Sequence, residues 1–141
     1  MPYWRLYYHI VWSTVKREPL ITPHMETELY GYLIGKAAAQ EAIVHAINGT
    51  ADHVHVVASV PPKVALSTFI GQLKGSSSHH INHLPGAEGN FGWQDEYGIV
   101  SFGERSLRQV IEYVQQQKER HKEQRLINLY ERAAPDDEPS G

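Results

Sequence analysis

The feature that most constrains this chain is the way its hydrophobic period changes along its length. From Tyr3 to Trp12, Trp4, Leu6, Tyr8, Ile10 and Trp12 alternate with Arg5, Tyr7, His9 and Val11. A period of two places alternate side chains on opposite faces and predicts a strand. A polar loop holding Pro19 follows, and then Thr22-Pro23 supplies an N-cap and a proline at the first helical position. The helix so begun should run to about Gln40, with Leu29, Tyr32 and Leu33 inward and Lys36 and Gln40 towards water. Ala42 to Asn48 reads as a short strand, Gly49 to Asp52 as a turn, and His53 to Val60 as the next strand, stopped by Pro61-Pro62. A second helix carries Leu66, Phe69, Ile70, Leu73 and Ile81 at helical spacing. Gly75 and Ser76-Ser77-Ser78 weaken its middle and predict a kink or a close approach there. A glycine-rich loop with Trp93 leads to a strand over Tyr97 to Phe102 and a last helix from Ser106 to about Glu123.

The order β-α-β-β-α-β plus a C-terminal helix is the split βαβ, ferredoxin-like pattern of an α+β protein. It predicts a four-stranded antiparallel sheet with the first and third strands central. With 141 residues, the chain has enough length for one core. Residues 1–132 are expected to form a single domain and 133–141 an acidic, disordered tail. Cysteine is absent, which excludes disulfides and thiolate metal sites. No apolar run reaches the roughly 18 residues of a membrane helix, and Arg5 and His9 interrupt any signal-like segment, so a cytoplasmic protein is expected. The formal net charge is -3, from 13 Lys+Arg and 16 Asp+Glu. Three of those acids, Asp136, Asp137 and Glu138, sit in the tail, so any nucleic-acid binding must come from local patches.

His53 and His55 are two apart in a strand, so their imidazoles leave the same face while Val54 and Val56 leave the other. The pair reads either as two solvent-facing histidines or as a pre-spaced pair of metal ligands. In the last helix Leu107, Val110, Ile111 and Val114 form an apolar stripe, and Tyr113 and Gln117 fall together on one flank of it. On pattern alone Tyr113 is a boundary residue with its hydroxyl in water. His79 and His83 share a helix face as a second potential metal pair, but no third ligand is evident beside them. His9, on the first strand, is a candidate to flank the same site as His55.

Taken together, these residues carry a resemblance. The run Asp52-His53-Val54-His55-Val56 reads histidine, hydrophobic residue, histidine (HUH). Around it lie Tyr8-His9-Ile10-Val11-Trp12, Leu73-Lys74-Gly75, Trp93-Gln94-Asp95-Glu96-Tyr97-Gly98 and Tyr113-Val114-Gln115-Gln116-Gln117. In this order, spanning about residues 3 to 121, the chain resembles the single-tyrosine HUH transposases (TnpA-like) of the smallest bacterial insertion sequences and their relatives associated with repetitive extragenic palindromes (REPs). The resemblance implies that His53, His55 and Gln117 bind a divalent cation, Mg²⁺ or Mn²⁺, and that Tyr113 is the nucleophile. It implies cleavage and rejoining of single-stranded DNA at hairpin-marked ends through a 5′-phosphotyrosine link, with no nucleotide cofactor. It further implies a homodimer in which the tyrosine helix can serve either protomer, and Gly103 before that helix offers a hinge. Lys74, Arg105 and the basic helix with Lys118, Arg120, Lys122 and Arg125 are candidates for DNA contact. The chain departs from the family's frequent pattern at Gln116 and Arg120, and in the serines after Gly75.

Two other classes compete. A non-catalytic ferredoxin-like nucleic-acid binder would use the surface without the chemistry. A metal-dependent hydrolase would need a carboxylate beside the histidines. Asp52 is the one at hand, and an extended strand would turn it to the opposite face.

Overall fold

A computed structural model describes residues 3–122, and the expected order of elements is present. The elements are β1 (Tyr7–Ser13), α1 (Pro23–Ala39), β2 (Ile43–Gly49), β3 (His53–Ser59), α2 (Leu66–Asn82), β4 (Gly98–Phe102), α3 (Leu107–Gln115) and α4 (Gln117–Lys122). The tail from residue 133, Arg125, and the side chains of Arg120 and Lys122 lie outside the described residues. Thr22 caps α1, its hydroxyl accepting from the Met25 backbone N–H at 3.2 Å, with Pro23 in the first turn.

The sheet is antiparallel in the order β2-β3-β1-β4, so β1 and β3 are central. Both are covered on two sides, which is why all seven residues of β3 are buried. On one face α1 and α2 pack Leu29, Leu33, Phe69, Ile70 and Leu73 against Ile10, Trp12, Val54 and Val56. On the other, Val110 and Val114 of α3 pack on Ala46 and Val57. Each of the valines, leucines, isoleucines and phenylalanine among them contributes about 1.5–3 kcal/mol by leaving water. The histidine face is therefore the one that α1 and α2 leave open, as expected, but the last helix closes it.

Three expectations need correction. The first strand starts at Tyr7 instead of Tyr3. Tyr7 pairs with Ser59 and with Phe102, the last residues of β3 and β4, so residues 3–6 have no strand to bond on either side. Beyond Ser59 the chain reaches Pro61-Pro62, which cannot donate to a ladder. Next, α2 runs unbroken through Gly75. The hydroxyls of Ser76, Ser77 and Ser78 bond back to the carbonyls of Gln72, Lys74 and Gly75, and a Cβ on Gly75 would meet nothing within 4 Å.

The last helix, expected to be continuous, breaks at Gln116, whose φ of -100° and ψ of 15° leave the helical region. Long-range bonds account for the break. Asn48 Nδ2 donates to the Gln115 carbonyl at 3.0 Å, and Lys118 Nζ donates to Glu26 Oε1 and Asn48 Oδ1, each at 2.8 Å. These contacts draw α4 towards α1 and the β2–β3 turn. Gly103 adopts φ -84°, which any residue can adopt, so this conformation does not require a glycine there.

Candidate active site

β3 begins at His53, so His53 and His55 project from the same face, their ring centroids 5.2 Å apart. The turn before them is held closely. Thr50 N–H donates to the His53 carbonyl at 3.0 Å, and Thr14 N–H to the Asp52 carbonyl at 2.8 Å. Ile21 N–H donates to the Ala51 carbonyl at 2.9 Å. Gly49 closes the turn where a Cβ would fall on the His53 carbonyl oxygen and 2.9 Å from Val54 Cα.

On β1, His9 pairs with Val57 and so lies diagonal to His55 on the same face. Its Nε2 is 2.8 Å from His55 Nδ1, with the rings stacked at 4.9 Å. The candidate flanking histidine thus contacts a candidate ligand directly. The condition under which Asp52 would face away is not met. It lies in the turn before the strand, so strand alternation does not govern it, and its Oδ1 is 2.7 Å from His53 Nδ1. The hydrogen bond from His53 holds the Asp52 carboxyl below its usual value, against the opposing pull of partial burial. Thr50 Oγ1 completes the cluster, 3.1 Å from Asp52 Oδ1 and 2.9 Å from His53 Nδ1.

α3 lays Tyr113 across this pair. The Tyr113 ring stands edge-on, 6.2 Å from the His55 centroid and 6.4 Å from that of His9. Gln117 stays beside it across the helix break, its Nε2 donating to the Tyr113 carbonyl at 3.5 Å. Exposure is 2% for Tyr113, 3% for His53 and 0% for His55 and Gln117, so neither solvent-facing histidines nor a half-wet tyrosine describes them. Ring contacts join His9, His53, His55 and Tyr113 into one buried group, and Gln117 is buried against the Tyr113 backbone. Two imidazoles and one amide make a neutral nitrogen–nitrogen–oxygen donor set, and among the described residues no three His, Cys, Asp or Glu side chains form a metal cluster.

Lys74 and Arg105 are not part of that group. Lys74 is on α2, across the sheet, where Nζ donates to the Glu96 carbonyl at 2.9 Å. Burial lowers its ammonium pKa, opposed by the charges of Asp95 and Glu96. Arg105 is exposed in the turn before α3. His79 and His83 stack at 4.0 Å, and His83 Nδ1 bonds the His79 carbonyl. Trp93 belongs to the core: its Nε1 donates to buried Ser77 at 2.9 Å, and its ring meets Trp12 edge-on at 5.7 Å. Sequence reasoning missed Thr50, Asn48 and the contact of Asp52 with His53. The available signal was a short carboxylate immediately before the first histidine, in a Gly-Thr turn.

The family described as "Transposase IS200 like" matches residues 2–117. The chain is 27% identical over 122 residues to the ISDra2 transposase TnpA of Deinococcus radiodurans, covering 81% of this chain and 85% of that protein. It is 29% identical over 75 residues to the IS200 transposase of Salmonella typhimurium, where the match spans 53% of this chain and 49% of that protein. Among solved structures, a Deinococcus radiodurans protein provisionally assigned as a transposase superposes with a TM-score of 0.62 at 22% identity, covering 83% of this chain and 95% of the other. A REP-associated tyrosine transposase bound to a REP hairpin superposes with a TM-score of 0.63 at 14% identity, covering 92% and 78%. With the family matched over most of its length, this chain belongs to the IS200-like transposases.

Proposed function

We propose that this transposase cuts and rejoins single-stranded DNA, with Tyr113 as nucleophile and His53, His55 and Gln117 as ligands of Mg²⁺ or Mn²⁺. The observation that supports the reading is the meeting of His53, His55 and Tyr113 in one buried site, with Gln117 buried against the Tyr113 backbone. The donor set fits such an ion: it adds no negative charge that would repel a phosphate, and two imidazoles favour Mn²⁺ over the more oxygen-seeking Mg²⁺. When bound, the cation would polarise the non-bridging phosphate oxygens.

The Tyr113 oxygen attacks phosphorus and the bond from phosphorus to the 3′ oxygen breaks. The phenolic proton is released to solvent, and the departing oxygen takes up a proton to become a free 3′-hydroxyl. The 5′ phosphate remains on Tyr113, so its bond energy is conserved for a later attack by another 3′-hydroxyl, and no nucleotide cofactor is needed. Because Tyr113, His55 and Gln117 are 2% exposed or less, substrate entry requires α3 and α4 to lift from the sheet. The helix break at Gln116 and the turn before α3 are where the chain would bend. Hairpin DNA is the proposed substrate end, in line with the REP hairpin held by one structural neighbour. Lys74 and Arg105 are proposed DNA contacts, and a homodimer is the proposed working form. The non-catalytic binder remains a second reading, favoured by the closure of the site in this conformation.

Incubation with single-stranded oligonucleotides from the gene's own flanks, with Mn²⁺ or with a chelator, separates the two. The transesterase gives a covalent protein–DNA band that needs the metal. Hairpin binding indifferent to chelator, with no covalent band, would establish the binder instead.

A further inference from the structure

Resting on the cation reading above, the geometry points to Asp52 and His9 as positioning residues that select which ring nitrogen each histidine presents. An ionised carboxylate can only accept a hydrogen bond, so the 2.7 Å contact from Asp52 Oδ1 places the proton of His53 on Nδ1. The lone pair of His53 is then on Nε2. Thr50 fixes the carboxylate in turn, its hydroxyl donating to the same Oδ1 at 3.1 Å. At His55 the contact is Nδ1 to His9 Nε2, at 2.8 Å between two buried rings. One of these nitrogens carries the proton, and only donation by His55 leaves its Nε2 able to hold a cation. Both rings are therefore gripped by their Nδ1 edges, His53 from the β2–β3 turn and His55 from β1.

The grip decides two things at once. A histidine side chain free in water favours the opposite tautomer, with the proton on Nε2, so the neighbouring acceptors must outweigh that preference. A hydrogen bond at Nδ1 also fixes ring rotation, so the Nε2 atoms are oriented before any ion arrives. Neither Asp52 nor His9 touches substrate in this scheme. They act through the histidines.

The test reads ring tautomers by long-range proton–nitrogen NMR on the metal-free protein, well above the ordinary histidine pKa, together with Mn²⁺ titration followed by electron paramagnetic resonance. In the parent protein, His53 and His55 are both expected to carry the proton on Nδ1. Asp52→Ala should shift His53 towards the Nε2-protonated form and leave His55 unchanged, and His9→Phe should do the reverse. The unaffected ring serves as the control for folding. Mn²⁺ affinity should fall about 10–100-fold in each variant. Asp52→Asn and His9→Gln retain an acceptor oxygen and should recover most of both signals. A parent ring protonated on Nε2, or variants with unchanged tautomers and unchanged affinity, overturns the inference. A parent protein with both Nδ1 tautomers that takes up no Mn²⁺ overturns the cation site while supporting the tautomer selection, so the two failures are distinguishable.

Discussion

Lys118 Nζ lies 2.8 Å from Glu26 Oε1, tying the helical turn that begins at Gln117 to the first turn of α1. The same ammonium also reaches Asn48 Oδ1 at 2.8 Å and the Gly49 carbonyl at 3.1 Å. The lysine side chain is 54% exposed, so its ion pair contributes on the order of 1 kcal/mol or less to overall stability. Its bearing is local, on α4, where Gln117 is its neighbour. Lys118→Ala should speed amide hydrogen exchange across α4 while leaving β1 and β3 protected. Unchanged exchange in α4 would show that this latch does not hold the helix.

Two glycines should respond oppositely to the same substitution. Gly49→Ala forces a Cβ onto backbone atoms of His53 and Val54, which cannot give way without shifting β3. A loss of roughly 3 kcal/mol or more is expected in urea unfolding, at the severe end for point changes. Gly75→Ala introduces a Cβ into open space within a continuous helix and should stabilise by about 0.5–1 kcal/mol. Equal effects would contradict the placement of the β2–β3 turn.

Ser77 is fully buried and accepts the indole N–H of Trp93 at 2.9 Å. Ser77→Ala strands that donor in the core and should cost about 1–3 kcal/mol. Thermal unfolding followed by tryptophan fluorescence reads the loss. A neutral result would mean that water reaches the indole.

His45 gives a pH dependence of definite sign. Burial lowers its pKa from the ordinary histidine value of 6.5, and its Nε2 contacts Ser59 Oγ at 2.7 Å. The unfolded chain therefore takes up this proton at a higher pH than the folded chain does. Stability from His45 is full above 6.5 and falls as pH drops from there through the lowered folded value. His45→Gln should make the acid limb of the stability curve shallower than in the parent. A limb of equal slope would exclude His45 as a contributor.

The strand order was legible from the β-α-β-β-α-β order of elements, and the shared face of His53 and His55 from strand alternation. Tyr113 and Gln117 were legible as neighbours because helical spacing puts them on one flank. Their burial was not, because it depends on α3 docking over β2 and β3, a tertiary contact with no local mark. The break at Gln116 was equally hidden. Gln115-Gln116-Gln117 are good helix formers, and the bonds made by Asn48 and Lys118, distant in sequence from one another, override them. Asp52 would face away only if the strand already extended through it, and it lies instead in a turn whose geometry Thr14 and Thr50 set. The start of β1 failed for the converse reason: residues 3–6 alternate well, but no partner strand extends alongside them.

The most direct test of the central claim is mass spectrometry of the covalent protein–DNA adduct formed with Mn²⁺ on single-stranded flanking DNA. The account predicts a phosphodiester-linked nucleotide on the peptide containing Tyr113, and no adduct from Tyr113→Phe under the same conditions. An adduct on any other residue, or one that persists in Tyr113→Phe, would contradict it.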